Sequence, residues 1–362
     1  MKKELKKIAF CTTCMNRLQH LQQTLEKNIR DNYLPEEVEF VLLDYNSKDG
    51  LDQWIRQNMQ SYMDRGILSY YKTFEPAHYL RSHSRNMAFR LANADILCNL
   101  DADNFLGEGF ATFMIEEFSK YDNIFYTNNF LCNDTFGRMS VRNTDFMSIR
   151  GYNESLIGYG YEDMDVFNRL NNIGLQQMRF NNPEFGRYVL HSDEYRVSEE
   201  FMAKNIAKIY IAYLSPHSSG LLLLFKDYSM ERHTLLDDSH LNDYVGFSNA
   251  ANRVTDGRYR VSIQDSVLTG KWGEDNDGIH IREDDVEHSI QKETSPIYFK
   301  GQAYYEVQDL ELKAKLFTLL SETLNFQEAN KQMEEKSVIN PDGFGKGIVF
   351  RNFDLSKEII LS

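Results

Sequence analysis

Ile96-Leu97-Cys98-Asn99-Leu100-Asp101-Ala102-Asp103 is the stretch on which the reading of this chain turns. Ile96 to Leu100 reads as a buried strand, and it runs straight into two carboxylates separated by one residue. Upstream, Lys7 to Thr12, Val38 to Asp44 and Ile67 to Thr73 have the same strand character. Helical patterns separate them. Leu18, Leu21, Leu25 and Ile29 stripe one face of the first, and Met87, Leu91 and Ala94 mark one side of Ser82 to Ala94. Strand and helix alternating in this way predict βαβ units, an α/β fold with a mostly parallel sheet. In open sheets of that kind, polar residues at the carboxyl ends of strands point into the crevice that binds ligands. Asp44 and Asp101 both fall at such ends.

Beyond residue 215 the pattern changes. Arg258 to Ile263, Val267 to Trp272, Ile279 to Ile281, Ile297 to Phe299 and Tyr304 to Val307 are short strand candidates with turn residues between them. Asp275-Asn276-Asp277-Gly278 has no acidic residue at the later spacing a calcium loop needs, so a hairpin turn is expected there. Leu310 to Lys336 predicts a long amphipathic helix. The expected organisation is a first domain over residues 1–215 and a smaller, strand-rich accessory domain over 216–362, closed by the helix at 310–336.

Composition bounds the partners. At 362 residues the chain exceeds the usual size of one core, and 42% hydrophobic content can build a sizeable interior. A formal net charge of −14 excludes nucleic acid as the expected partner. An acidic protein that binds an anionic nucleotide needs local compensation from a divalent cation or a few arginines. Cys11, Cys14, Cys98 and Cys132 are too few for a disulfide scaffold. The Cys11-x-x-Cys14 pair reads as inert thiols at the end of a buried strand, over redox chemistry or half a zinc site. Lys2, Lys3, Lys6 and Lys7 precede only the short run Ile8 to Phe10, too short for a signal peptide or a membrane span. The expectation is a cytoplasmic protein whose basic N-terminus can touch the inner face of a membrane.

Asp101 and Asp103 have a definite chemical use. Alternate residues of an extended segment face one side, where a divalent cation and a ribose can share them. A hard cation such as Mg2+ or Mn2+ takes oxygen ligands, commonly one or two carboxylates plus substrate phosphates. Gly158-Tyr159-Gly160-Tyr161-Glu162-Asp163-Met164-Asp165, followed by Val166-Phe167-Asn168-Arg169-Leu170, is more distinctive. The helix dipole accounts for acids at a helix start. It leaves the flanking glycines and aromatics unexplained, and these suit a sugar, since rings cover its C–H face and glycines let backbone approach.

This segment resembles the acceptor and catalytic motif of β-1,4-galactosyltransferases and the related C-terminal motif of bacterial family 2 glycosyltransferases. Four further pieces agree in order. Thr13 to Leu21 is similar to the family's first strand-to-helix turn, where the nucleotide enters, and Asp44 to Gly50 to its second. Arg85-Asn86 stands at the place of the donor-side arginine, and His191-Ser192-Asp193 at that of a metal-binding histidine. The likeness spans residues 7–215. Tyr159 replaces the family's tryptophan, Tyr161 its second glycine and Met164 one of its acids, departures that bear on the acceptor.

The resemblance implies a GT-A nucleotide-diphospho-sugar transferase fold and an inverting, metal-dependent transfer of a hexose or N-acetylhexosamine, galactose or N-acetylgalactosamine first. The donor is a UDP-sugar, the acceptor a glycan or lipid-linked sugar in surface polysaccharide synthesis. It makes Asp163 the general base and Glu162 the residue that orients the acceptor hydroxyl. Asp103 and His191 bind Mn2+ or Mg2+. Thr12, Arg17, Asp44, Asp49, Arg85 and Asp101 hold the nucleotide sugar, and Tyr159, Gly160 and Tyr161 form the acceptor wall. Plainer readings stand beside these: His191 as a strand histidine, Arg85 as a solvated helix residue, Asp44 as an edge carboxylate and Asp165 as a helix-start acid. His217, His233, His240 and His280 have no metal or triad spacing. A sugar-phosphate nucleotidyltransferase is the competing enzyme, but Cys11 to Arg17 lacks its glycine-rich phosphate loop. A non-catalytic carbohydrate-binding protein is the competing class, with Trp272, Tyr298, Phe299, Tyr304 and Tyr305 as a sugar platform or, more simply, as core.

Overall fold

The computed structural model describes residues 7–128, 135–216, 218–237, 261–263, 268–283, 286–291 and 296–362. Cys132, His217, His240, Arg258 to Arg260 and Val267 lie outside them, as do Lys2, Lys3 and Lys6. The chain divides into two units, Met1–His191 with Glu328–Ser362, and Ser192–Gln327. That division differs from the expected one at 215/216 in two ways: the boundary falls at 191/192, since residues 206–215 pair with 218–225, and the last residues return to the first unit.

In the first unit the sheet contains β1 (Ile8–Cys14), β2 (Val38–Tyr45), β3 (Leu68–Thr73), β4 (Ile96–Asn99), β5 (Ile124–Asn128), β6 (Met139–Arg142) and β7 (Gln176–Phe180). The connecting helices are α1 (Leu18–Asn32), α2 (Leu51–Asn58), α3 (Gln60–Asp64), α4 (Arg81–Leu91), α5 (Phe110–Lys120), α6 (Asn143–Ser148) and α7 (Glu162–Asn172). β1 to β4 pair in parallel, whereas β6 runs antiparallel between β4 and β5. The expectation of an α/β fold with a mostly parallel sheet is met.

All of β1 is buried, as expected of a strand covered on both faces. Its alternation feeds two cores. Ile8, Phe10 and Cys14 join Phe40, Leu42 and the Leu21, Leu25, Ile29 stripe of α1. Ala9 and Cys11 join Val41, Leu43, Leu97, Met87 and Phe89 of α4, and Val166, Phe167 and Leu170 of α7. The pairs Cys14↔Asp44 and Cys11↔Asn99 bring the carboxyl ends of β1, β2 and β4 to one edge. Because β6 runs the other way, with Cys98 opposite Ser140, its start reaches that same edge. This places Gly137 beside Asp101.

The return of the chain adds β17 (Gly347–Arg351) and β18 (Glu358–Leu361), a hairpin that extends the sheet antiparallel to β3. The second unit has α8 (Asp193–Val197), α9 (Phe201–Asn205) and an antiparallel sheet. Its strands are β8 (Ile206–Ser215), β9 (Ser218–Phe225), β10 (Ser229–Asp237), β11 (Val261–Ile263), β12 (Leu268–Glu274), β13 (Gly278–Glu283), β14 (Val286–Gln291), β15 (Ile297–Phe299) and β16 (Gln302–Glu306). Leu221 to Leu224 of β9 are fully buried. The Asp275 carboxylate accepts from the backbone of Asp277 at 2.8 Å and of Gly278 at 3.2 Å, closing the hairpin turn expected there. Helix α10 (Leu310–Glu334) follows. It buries polar Ser321, Thr323 and Asn325 as well as Leu320, so it lacks the simple two-faced pattern expected. Among the described residues no helix is long and apolar enough to cross a membrane.

Candidate active site

Arg85 on α4 organises the crevice. It is 2% exposed, so it is not a solvated helix residue. One terminal nitrogen, Nη1, donates to Asp163 Oδ1 at 2.9 Å and Glu162 Oε1 at 3.2 Å, and Nη2 donates to Asp101 Oδ1 at 3.2 Å. Below it lies the Tyr152 ring, 5.4 Å from the guanidinium carbon. Asn99 Nδ2 donates to the same Asp101 oxygen at 3.1 Å and to the Gly137 carbonyl at 3.0 Å.

One buried cation facing three carboxylates leaves an excess of negative charge, which a proton relieves most cheaply. Burial is the largest influence on Asp163 and outweighs the opposing charge of Arg85. Glu162 and Asp101 push the same way as burial, so the carboxyl is driven up to about 7. Burial also acts to raise Asp101, but Arg85 and Arg81 overcome it and hold that carboxyl below its usual range. The two acids are thus set apart, one a standing anion and the other able to exchange a proton near neutrality.

Gly137 borders this cluster closely. A Cβ there would lie 2.9 Å from Arg85 Nη2 and 2.9 Å from Asp163 Oδ2, closer than side chains pack, so the absence of a side chain makes room for both. Arg81, one turn before Arg85, lies over the Tyr159 ring at 4.8 Å and has its Nε 3.5 Å from Glu162. It thereby links the expected acceptor wall to the acids. Tyr161 has φ +70° at the start of α7, a left-handed conformation rare for an aromatic residue. Asp165 lies in the first turn of α7 and pairs with Arg169 at 2.6 Å one turn on.

Two residues past Asp101, Asp103 Oδ2 meets His191 Nε2 at 2.8 Å, while Asn104 Nδ2 holds the other oxygen at 2.8 Å. The bond from Val189 N to Asp103 O, at 2.8 Å, ties the His191 segment to this loop. His191 is in a loop, not a strand. The buried His20 ring stands 5.3 Å from it, its basicity pushed down to about 4 by burial despite the nearby Asp103. A carboxylate and an imidazole on adjoining segments are donors that divalent cations accept. Among the described residues no group of three His, Cys, Asp or Glu is arranged to hold a metal. A cation there needs further oxygens from solvent or a phosphate.

The remaining expected donor residues lie elsewhere along the same edge. Asp44 is fully buried and accepts from Tyr70 Oη at 2.6 Å and Ser47 N at 2.7 Å, with Lys72 Nζ at 3.3 Å. Burial raises its proton affinity against those partners. Asp49 holds the first turn of α1 by accepting from Leu18 N at 2.8 Å. Arg17 precedes that helix and donates to Asn16 O at 3.2 Å. Thr12 is enclosed within β1. Cys11, Cys14 and Cys98 are buried free thiols, and burial raises all three.

Sequence reasoning missed Arg81, Asn99, Gly137 and Tyr152. Only Arg81 carried a signal, its spacing of four from Arg85 on one helix. The others come together through the sheet.

Comparison with known proteins bears on this geometry. Residues 131–194 match the family model described as the N-terminal domain of galactosyltransferase. The matched segment contains Gly137, Tyr159 to Asp165 and His191, so the galactosyltransferase resemblance read from the sequence is found there. No curated protein sequence matches the chain. Among solved structures, Staphylococcus aureus TarS is similar with a TM-score of 0.41 and 12% identity over 49% of this chain and 58% of that one. The mannosyltransferase PcManGT from Pyrobaculum calidifontis, solved with GDP-Man and Mn2+, has a TM-score of 0.44 and 14% identity over 56% and 64%. The catalytic domain of Drosophila β1,4-galactosyltransferase 7 has a TM-score of 0.37 and 14% identity over 54% and 75%. This chain therefore spans less than two thirds of the TarS and PcManGT chains.

Proposed function

We propose that this chain is a metal-dependent, inverting glycosyltransferase that moves a hexose or N-acetylhexosamine from a UDP-sugar to a glycan or glycolipid hydroxyl. The observation that carries the reading is Asp163, a buried carboxyl driven up to about 7 within bonding distance of Arg85 and next to Glu162. A base for an alcohol works best with a proton affinity near the working pH. Asp163 takes the acceptor proton, and Glu162 orients the hydroxyl. Asp101, held ionised by Arg85, faces the donor ribose. Asp103 and His191 would hold a divalent cation, which would supply positive charge for the departing diphosphate. The galactosyltransferase match over residues 131–194 supports galactose or N-acetylgalactosamine as the sugar.

UDP release measured over a panel of UDP-sugars, with and without Mn2+, tests the reading. Release with one UDP-sugar in the presence of Mn2+ and an acceptor is expected. Pyrophosphate release instead would assign the site to a nucleotidyltransferase, and no release with any donor would sink the proposal.

A further inference from the structure

The sheet of the second unit carries an aromatic row that the transfer chemistry does not use. Tyr305 pairs with Ile211 across β16 and β8, and Tyr298 pairs with Ala303 across β15 and β16. Continuing the first register by two residues sets Ala303 opposite Tyr213. Paired residues share a face of the sheet, and so do alternate residues along a strand. Tyr213, Ala303 and Tyr298 therefore line up across three neighbouring strands, with Tyr305 beside them. Ala212, Tyr304, Ile297 and Phe299 alternate with these and lie in the core. The tyrosines consequently face outward, 66% exposed at Tyr213, 64% at Tyr298 and 53% at Tyr305.

We propose that this row docks a neutral glycan chain. A tyrosine ring covers the C–H face of a sugar while its hydroxyl bonds to the rim. Ala303 leaves a dip between Tyr213 and Tyr298, which stand two strands apart, about 9–10 Å. Two consecutive sugar rings reach across such a gap. The exposed parts of the three rings amount to roughly 300–450 Å2. A stable protein partner or second copy needs about 800 Å2 per side, so the row suits an oligosaccharide better. None of its members is charged, which favours a neutral ligand over an anionic one. The choice of a glycan rests on the transferase reading, whose acceptor is itself a glycan.

Affinity electrophoresis of the intact chain through gels containing galactan, glucan or mannan tests this. Retardation by at least one polysaccharide is expected, and it should persist in EDTA and in Asp163→Asn. The triple variant Tyr213→Ala, Tyr298→Ala, Tyr305→Ala should weaken binding about tenfold or more. Tyr298→Phe, which keeps the ring, should retain most of it. Absence of retardation in the unaltered chain would overturn the proposal, as would equal retardation of the triple variant. So would self-association in sedimentation that the triple variant abolishes, since the row would then be a contact between copies. Retardation with no UDP release from any donor would remove the transferase reading and leave the row standing. UDP release without retardation would do the reverse.

Discussion

A carboxyl that shares one guanidinium with two others cannot keep the proton affinity of a lone one, and Asp163 is where that pressure is resolved. Its affinity stands near 7 in the fold against an ordinary 3.8. A carboxyl that takes the acceptor proton, as proposed for Asp163, must be ionised, so on that proposal transfer should fall as pH drops through about 7, with the slope of a single proton. The stability sign is opposite in direction. A raised acid favours the folded state fully below its unfolded value near 3.8, and that contribution is lost as pH rises through about 7. Asp163→Asn should lower turnover by ~10²–10⁴-fold and abolish the pH limb while UDP affinity by calorimetry stays unchanged. Normal turnover in that variant would remove the base role. Gly137→Ala makes a separate test. Its methyl must push Arg85 or Asp163 aside from 2.9 Å, so turnover should drop while thermal stability falls by about 1–3 kcal/mol. Unchanged kinetics would mean that the cluster tolerates displacement.

Helix α4 carries both arginines of the site, and the chain's last segment fixes its position. Arg90 donates to the carbonyls of Phe344 at 2.7 Å and Ser362 at 2.8 Å, and His83 Nε2 meets Lys346 O at 2.8 Å. Buried Asn86, next to Arg85, donates to Tyr152 O and Glu154 Oε1, both at 2.8 Å. The same Glu154 oxygen accepts from Gly345 N at 2.6 Å. Gly345 has φ +57°, and a Cβ on it would lie 2.7 Å from the Asn86 and Met87 backbone. Gly345→Ala should therefore cost about 1–3 kcal/mol in urea unfolding and lower the rate of UDP release through α4. Wild-type values for both would show that the segment merely lies alongside. The helix itself was legible, expected over Ser82 to Ala94 and found over Arg81–Leu91. Nothing in its pattern announced a clasp from residues more than 250 positions away.

At the scale of the whole molecule, the chain closes on itself: residues 328–362 count with the first unit, and β17 pairs with β3. Ending the chain at Gln327 removes that hairpin, the clasp on α4 and the last turns of α10 from Glu328 to Glu334. Such a truncation should unfold at lower temperature by circular dichroism and lose UDP release; a truncated chain as stable and active as the full one would contradict this architecture. The sequence by itself determined the βαβ order, the crevice edge with Asp101 and Asp103, and the acids of α7, because hydrophobic periodicity and short-range spacing are local properties. It also paired Asp103 with His191 through family resemblance. Tertiary structure alone decided where Arg85 lies. Of the two readings the sequence offered, donor-side or solvated, the fold rules out the solvated one by burying it among Asp101, Glu162 and Asp163. Tertiary structure likewise sorted the aromatics of the second unit, sending Phe299 and Tyr304 inward and Tyr298 and Tyr305 out. The physical reason is the same in both cases. A proton affinity or a ring's exposure depends on groups brought near from distant positions, and the Asp101–Ala102–Asp103 stretch becomes a candidate site only when Arg85 and Asp163 arrive beside it.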